Sequence, residues 1–230
     1  MAIDVYLGLT AGEFRKVSPL PRKTAWMACH FSQNSDGLSN VPHSLPEGCL
    51  MILDDSSPIQ GHDPERIREE LAALAEAHRV AAVLLDFQRP GAGEMVSVLS
   101  KGLPCPVAVS ALYGMMTQGP VLLPPVPPFR LLEEHIKDWR GRELWLELSP
   151  EGSEVRLEKQ GSHTEPWWPE GPLPFRHEAL KCRYRTELLP GAAVFRGCRT
   201  AEDLEELLVE AERLGVTAAL GLWAEFPGYA

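Results

Sequence analysis

The sequence lacks several features that would assign it to a well-marked class. Basic residues are few, with 22 Lys and Arg against 32 Asp and Glu, which gives a formal net charge of −10 over 230 residues. A surplus of acidic groups repels a phosphate backbone, so we expect no nucleic-acid partner. The longest apolar stretches, such as 80–85 (VAAVLL), are far shorter than the roughly 18 to 20 residues that cross a bilayer. We therefore expect no membrane partner.

Cysteine usage and the first residues give no sign of export. The segment 1–10, MAIDVYLGLT, carries Asp4 and no basic stretch ahead of an apolar one, so it predicts an opening strand and not a secretory signal. No C-x-x-C pair is present, and an odd number of cysteines argues against a disulfide framework. The five scattered cysteines, which we expect to be buried thiols of a cytoplasmic protein, are Cys29, Cys49, Cys105, Cys182 and Cys198.

Recognised cofactor and catalytic motifs are also missing. No G-x-G-x-x-G or G-x-x-x-x-G-K-[ST] motif follows a predicted strand, which removes the main support for a nucleotide-binding sheet. There is no G-x-S-x-G elbow and no H-E-x-x-H motif. Asp54, Asp55, His62 and Asp63 include possible metal ligands, but their spacing matches no known ligand set, and Asp63 is better placed to cap a helix. We predict no cofactor and no metal.

Short apolar runs that alternate with helical patterns predict an α/β fold. Most of these runs are continuously apolar, which is typical of parallel strands covered on both faces. The predicted strands are 3–9, 25–31, 49–54, 81–87, 106–112, 120–123, 192–195 and 217–223. Eight strands in 230 residues fit a reduced or irregular (β/α)8 TIM-like barrel, which we assign to a single domain over 1–230. A doubly wound open sheet is the alternative.

Two helices are marked by their caps. Asp63 followed by Pro64 begins one helix, which carries an apolar stripe and runs to His78. Thr200 with Asp203 three residues later forms a variant of the capping box for the other, which stops at Gly215. Shorter helices are predicted over 94–101 and 131–139.

The segment 143–160, ELWLELSPEGSEVRLEKQ, departs from the pattern of continuously apolar strands followed by helices. Its apolar and polar residues alternate on both sides of the turn sequence Pro150-Glu151-Gly152. This pattern predicts a β-hairpin inserted into the barrel.

Candidate functional residues lie where the predicted strands end, because active sites of such barrels gather at the carboxyl ends of the strands. Asp86 stands out, since it follows five apolar residues and would be costly to bury without a partner. It is either a functional carboxylate at the barrel mouth or a structural one paired with Arg89 or with backbone N–H groups. The full candidate set is Asp54, Asp55, Asp86, Gln88, Tyr113, Trp223 and Glu225.

The segment 81–90, AAVLLDFQRP, resembles the fourth-strand signature of glycoside hydrolase family 18, the chitinase-like (β/α)8 barrels, which reads D-x-x-D-x-D-x-E. Asp86 matches the last Asp and Gln88 the terminal Glu, whereas Ala81 and Leu84 occupy the two earlier Asp positions. In that family the Glu is the general acid on the glycosidic oxygen, and the preceding Asp supports the acetamido group that acts as internal nucleophile. Because Gln88 cannot donate and regain a proton, the resemblance implies a barrel without the family's catalytic acid.

A second segment, GVTAALGLWAEF (215–226), is similar to the closing strand of the family, in which a Trp forms the floor under the sugar ring. Trp223 would be that residue, with packing in the core as the alternative. The family's sixth-strand Tyr is missing from GPVLLPPVPP (119–128). The resemblance implies a carbohydrate or glycan fragment bound at the strand ends.

Two other functions remain open at this point. An enzyme of a different barrel family would use Asp86 with Glu225 or Asp54 as acid and base; on a strand, Glu225 and Trp223 would share one face. A protein-interaction scaffold would instead present the Trp167-Trp168 pair to a partner.

Overall fold

The computed structural model describes residues 3–226, which divide into two compact units. One comprises 4–124, 141–147 and 217–226, and the other comprises residue 3, 125–140 and 148–216. The single-domain organisation expected from the sequence remains a prediction. None of the helices within 3–226 has the length and apolar character needed to cross a membrane.

The described residues form fourteen strands and five α-helices. The strands are β1 (Asp4–Leu9), β2 (Thr24–Phe31), β3 (Leu38–Ser39), β4 (Leu50–Asp54), β5 (Ala82–Asp86), β6 (Val107–Ser110), β7 (Val121–Leu123), β8 (Leu144–Glu147), β9 (Gly152–Glu158), β10 (Gly161–Trp167), β11 (Phe175–His177), β12 (Cys182–Leu189), β13 (Ala192–Cys198) and β14 (Val216–Leu222). The helices are α1 (Ala11–Phe14), α2 (Pro64–His78), α3 (Gly93–Leu99), α4 (Leu132–Ile136) and α5 (Ala201–Arg213), and 3-10 turns span Ala111–Met116, Lys137–Trp139 and Trp223–Glu225.

The first unit is a closed barrel of eight parallel strands. Around the barrel the order is β1, β2, β4, β5, β6, β7, β8 and β14, and closure is complete because β1 pairs with both β2 and β14. The short β3 pairs antiparallel to β2 outside this ring. The predicted TIM-like barrel is therefore confirmed, and the open-sheet alternative is wrong.

Alternation along the strands separates an inner core from an outer one. Inward residues form one buried cluster, and the intervening residues pack with α2 and α3 in another. On β4, for example, Ile52 points inward, whereas Met51 and Leu53 belong to the outer cluster with Ile67 of α2. Inside, the rings of Tyr6 and Trp145 stack with centroids 6.3 Å apart. The same alternation fixes which residues reach the barrel mouth.

The predicted caps are present on both long helices. Asp63 accepts a hydrogen bond from the backbone N–H of Glu65 at 3.1 Å and leads into Pro64, the first residue of α2. In the second unit, Thr200 and Asp203 bond each other's backbone N–H groups at the start of α5. These local signals were sufficient because a cap depends only on residues within one turn.

The second unit contains a five-stranded antiparallel sheet in the order β10, β9, β13, β12 and β11. A buried carboxylate, Asp203 of α5, accepts a hydrogen bond from the Arg176 guanidinium of β11 at 3.1 Å. Arg176 also contacts Glu206 at 2.6 Å, so the sheet and α5 are joined by an ion-pair network.

The predicted β-hairpin exists, but over different residues. β9 pairs with β10 around a turn at Lys159 and Gln160, and Pro150-Glu151-Gly152 makes no hairpin turn. The first half of the predicted hairpin, β8, is the seventh barrel strand and pairs in parallel with β7. Conversely, the predicted barrel strand 192–195 lies in β13 of the antiparallel sheet. Alternation shows that a strand is half-buried, but it does not select the partner of that strand.

Candidate functional site

Three acidic side chains lie in one layer at the carboxyl ends of the barrel strands. Asp54 follows the inward Ile52 by two residues, Asp86 follows Leu84, and Glu147 follows Trp145. Because side chains alternate along a strand, all three point inward. Asp54 and Asp86 are direct register partners on the adjacent strands β4 and β5. All three are half-buried.

Asp86 is held by the side chain two residues later. The side-chain amide nitrogen of Gln88 donates a hydrogen bond to Oδ1 of Asp86. Within the described residues Arg89 forms no ion pair with Asp86, so the pairing considered from the sequence is made by Gln88 instead. Burial raises the pKa of Asp86, as do the nearby charges of Asp54 and Asp55, whereas the hydrogen bond from Gln88 opposes that rise.

Asp54 is bound to a histidine at the end of the neighbouring strand. Nδ1 of His30 lies 2.9 Å from Oδ1 of Asp54, and the backbone N–H of Ser56 donates to the same oxygen at 2.9 Å. A carboxylate can only accept, so Nδ1 of His30 carries the proton. The Ser56 hydroxyl also approaches Nδ1, at 3.2 Å. A nucleophilic serine would need the other ring nitrogen as its base, so this trio is not a Ser-His-Asp catalytic triad.

Asp55 and Tyr113 position the loop that follows β5. Asp55 is 6% exposed, and its Oδ2 accepts the backbone N–H groups of Gln88 at 3.1 Å and Arg89 at 2.8 Å. The buried Tyr113 hydroxyl donates to the carbonyl of Arg89 at 2.5 Å and accepts the N–H of Ala92 at 2.9 Å. The structure therefore gives these two side chains a supporting role beside Gln88.

Trp223 and Glu225 follow β14 in a 3-10 turn and not in a strand. The period of two that would place them on one face therefore does not apply to them, because a 3-10 turn advances three residues per turn. Both side chains are half-buried. The indole of Trp223 makes no aromatic ring contact within residues 3–226, and Glu225 acts electrostatically on Glu147.

The strongest electrostatic perturbation at the mouth belongs to Glu147. Burial raises the pKa of its carboxyl group to about 7, and the negative charges of Asp86 and Glu225 add to the rise. No lysine or arginine contributes to the pKa shift of Glu147 or to that of Asp86. The mouth is thus an acidic environment in which the pKa of one carboxyl group is raised to near neutral pH.

Sequence reasoning missed two of these residues, His30 and Glu147. The criterion that selected Asp54 and Asp86, a polar residue at the end of an apolar strand, also fits His30 in β2 and Glu147 in β8. Glu147 was assigned to a hairpin arm, so its place at a strand end was not considered. The metal ligands weighed from the sequence have other partners, since both ring nitrogens of His62 contact backbone carbonyls. Within residues 3–226 no group of three or more His, Cys, Asp or Glu side chains is arranged to hold a metal ion.

The sequence matches no protein-family model and has no significant similarity to a curated protein. The fold, in contrast, is similar to solved structures. The spore cortex-lytic enzyme SleL of Bacillus cereus superposes with a TM-score of 0.58 at 8% identity, covering 95% of this chain and 70% of SleL.

Two further structures match over nearly their whole lengths. The chitinase-like agglutinin of Robinia pseudoacacia has a TM-score of 0.59 at 13% identity, covering 94% of this chain and 93% of the agglutinin. A family 18 chitinase of Cycas revoluta, solved with (GlcNAc)4, has a TM-score of 0.58 at 10% identity and covers 94% of each chain. At this level of identity the match establishes the fold: the chain has the barrel fold of family 18 chitinases and chitinase-like proteins.

Proposed function

We propose that this chain binds a glycan containing N-acetylglucosamine at the carboxyl ends of its barrel strands, and that it lacks the family's own catalytic acid. The observation that carries the proposal is the pair formed by Asp86 and Gln88. The sequence resemblance aligns Asp86 with the family's last Asp and Gln88 with its acid, and Gln88 donates a hydrogen bond to Asp86 at the end of β5. An amide in that position holds a neighbouring carboxylate but supplies no proton.

The environment of this pair supports a ligand site. Asp55 and Tyr113 hold the backbone of Gln88 and of the residues that follow it through hydrogen bonds of 2.5 to 3.1 Å, so the amide is presented from a well-anchored loop. Such bracing reduces the conformational entropy that a ligand would have to remove on binding. Trp223 adds a half-buried indole without an aromatic neighbour in 3–226, which suits stacking on the apolar face of a sugar ring.

Titration calorimetry tests the proposal directly. N-acetylglucosamine oligomers and peptidoglycan fragments are titrated into the wild type and into Trp223→Ala. We expect saturable binding to the wild type and at least a tenfold loss of affinity in the variant. Trp168→Ala is the matched control, because Trp168 is 54% exposed and lies in the other compact unit. The absence of wild-type binding to every probe, or equal losses in the two variants, would refute the proposed site.

A further inference from the structure

Glu147 occupies a position from which a proton can reach a ligand in the barrel mouth. Directly below it in the barrel interior, Trp145 stacks on Tyr6 with an angle of 21° between the rings. Both rings belong to the buried inner cluster, so the next inward residue on β8 lies above a filled core. The carboxyl group of Glu147 therefore belongs to the open end of the barrel.

Asp86 faces the same opening from a different part of the barrel wall. Its strand, β5, is separated from β8 by β6 and β7. The carboxyl groups of Asp86 and Glu147 interact electrostatically. Carboxyl groups that flank an opening from separate strands can act on a glycosidic bond placed between them.

The two carboxyl groups differ in the hydrogen bonds that they receive. The hydrogen bond from Gln88 favours the ionised form of Asp86, whereas no residue within 3–226 donates a hydrogen bond to Glu147. The charged groups that act on Glu147 are Asp86 and Glu225, both acidic, and with burial they raise its pKa to about 7. Burial and like charges raise the pKa of both groups, and the hydrogen bond that only Asp86 receives favours Glu147 as the acid and Asp86 as the base.

We infer that Glu147 and Asp86 form a catalytic pair for glycosidic-bond hydrolysis, with Glu147 as the general acid and Asp86 as the general base. This inference rests on the proposed function, because it requires a glycan in the mouth. It places the proton donor on β8, at a position unrelated to Gln88.

The reaction balances with water as the only co-reactant. Glu147 donates its proton to the glycosidic oxygen as the bond from that oxygen to the anomeric carbon breaks. A water oxygen forms the new bond to the anomeric carbon, and the Asp86 carboxylate takes the proton that this water loses. The products are two shorter glycans, and exchange of protons with solvent restores both carboxyl groups.

The experiment measures binding and turnover in parallel. Hydrolysis of the N-acetylglucosamine tetramer and of peptidoglycan fragments is followed by chromatography from pH 4 to 9, and binding is followed by calorimetry. We expect wild-type hydrolysis that declines as the pH rises above about 7. Glu147→Gln is expected to lose at least about 100-fold in kcat, the usual contribution of a general acid, while its Kd changes less than threefold.

Two variants complete the design. Glu147→Asp keeps a carboxyl group and is expected to retain part of the activity and a pH-dependent profile, which a purely structural role of Glu147 would not explain. Glu76→Gln, an exposed position on α2, is the matched control and is expected to leave activity unchanged. Wild-type binding without hydrolysis at any pH, or full activity in Glu147→Gln, overturns the inference and leaves the proposed function intact. Absence of binding overturns both.

Discussion

The side-chain amide of Gln88 donates a hydrogen bond to the carboxylate of Asp86, two residues earlier in the chain. Burial raises the pKa of Asp86 and this hydrogen bond opposes the rise. We predict that Gln88→Leu, which removes the donor, raises the pKa of Asp86 further. Carbon-13 NMR titration of the side-chain carboxyl groups measures the change.

Gln60→Leu provides the control for that titration. Gln60 is exposed and makes no hydrogen bond to Asp86, so its replacement should leave the titration of Asp86 unchanged. A pKa of Asp86 that stays the same or falls in Gln88→Leu would show that the amide does not stabilise the ionised carboxylate.

Removal of the buried Tyr113 hydroxyl group should destabilise the loop that carries Gln88. Tyr113→Phe leaves the carbonyl of Arg89 and the N–H of Ala92 without their present partner. We expect the free energy of unfolding to fall by about 1 to 3 kcal/mol, the cost of unsatisfied buried groups. Urea denaturation measures this decrease in the free energy of unfolding.

Tyr184→Phe is the matched control, because the hydroxyl of Tyr184 makes no hydrogen bond within residues 3–226. Equal stability of the two variants would contradict a bracing role for Tyr113.

The barrel could be predicted from the sequence largely because its strands carry local signals. Seven of the eight barrel strands coincide with predicted apolar runs, since strands buried on both faces are recognisable without knowing their partners. The eighth, β8, was interpreted as a hairpin arm because its apolar and polar residues alternate. The segment 192–195 was instead predicted as a barrel strand, although it lies in β13 of the antiparallel sheet. The choice of partner depends on contacts between residues far apart in sequence, which periodicity does not encode.

The candidate site was predictable to the same extent as its strands. Asp54 and Asp86 were identified because their strands were correctly placed, and the structure makes them register partners. Glu147 was missed as a direct consequence of the error on β8. The supporting roles of Asp55 and Tyr113 depend on hydrogen bonds to a loop 21 to 34 residues away in sequence. No sequence pattern specifies such contacts.

The ion pair between Arg176 and Asp203 should be a main source of stability in the second unit. Asp203 is fully buried. Burial alone would raise its pKa, but hydrogen bonds from Thr200 and Arg176 outweigh that effect and lower the pKa below its ordinary value. We predict that Arg176→Met, which leaves the carboxylate short of donors, reduces the free energy of unfolding at pH 7 by about 2 to 4 kcal/mol. Thermal and urea denaturation measure the loss.

A surface ion pair of the same unit is the matched control for Arg176→Met. Arg140 contacts Glu133 at 2.8 Å, but both side chains are more than 60% exposed. Arg140→Met should cost less than about 1 kcal/mol, because solvent screens exposed pairs. A group with a lowered pKa stabilises the fold above its unfolded pKa and loses that contribution as the pH falls, so the deficit of Arg176→Met should shrink in acid. A deficit that is independent of pH would contradict this account of Asp203.

The raised pKa of Glu147 predicts a pH dependence of stability that one substitution should remove. The pKa is about 7 in the folded chain and about 4.3 in an unfolded one. Between these values the folded state binds more protons than the unfolded state. The free energy of unfolding therefore falls as the pH rises through this window, and this decrease is complete above pH 7.

Glu147→Gln keeps the shape of the side chain and removes its charge. We expect it to match the wild type closely at pH 4 and to exceed its stability by about 3 to 4 kcal/mol at pH 8, measured by urea denaturation at both pH values. Glu76→Gln, exposed on α2, should follow the wild type throughout. Parallel curves for wild type and Glu147→Gln would show that the Glu147 carboxyl group ionises at an ordinary pH and is not held protonated by its surroundings.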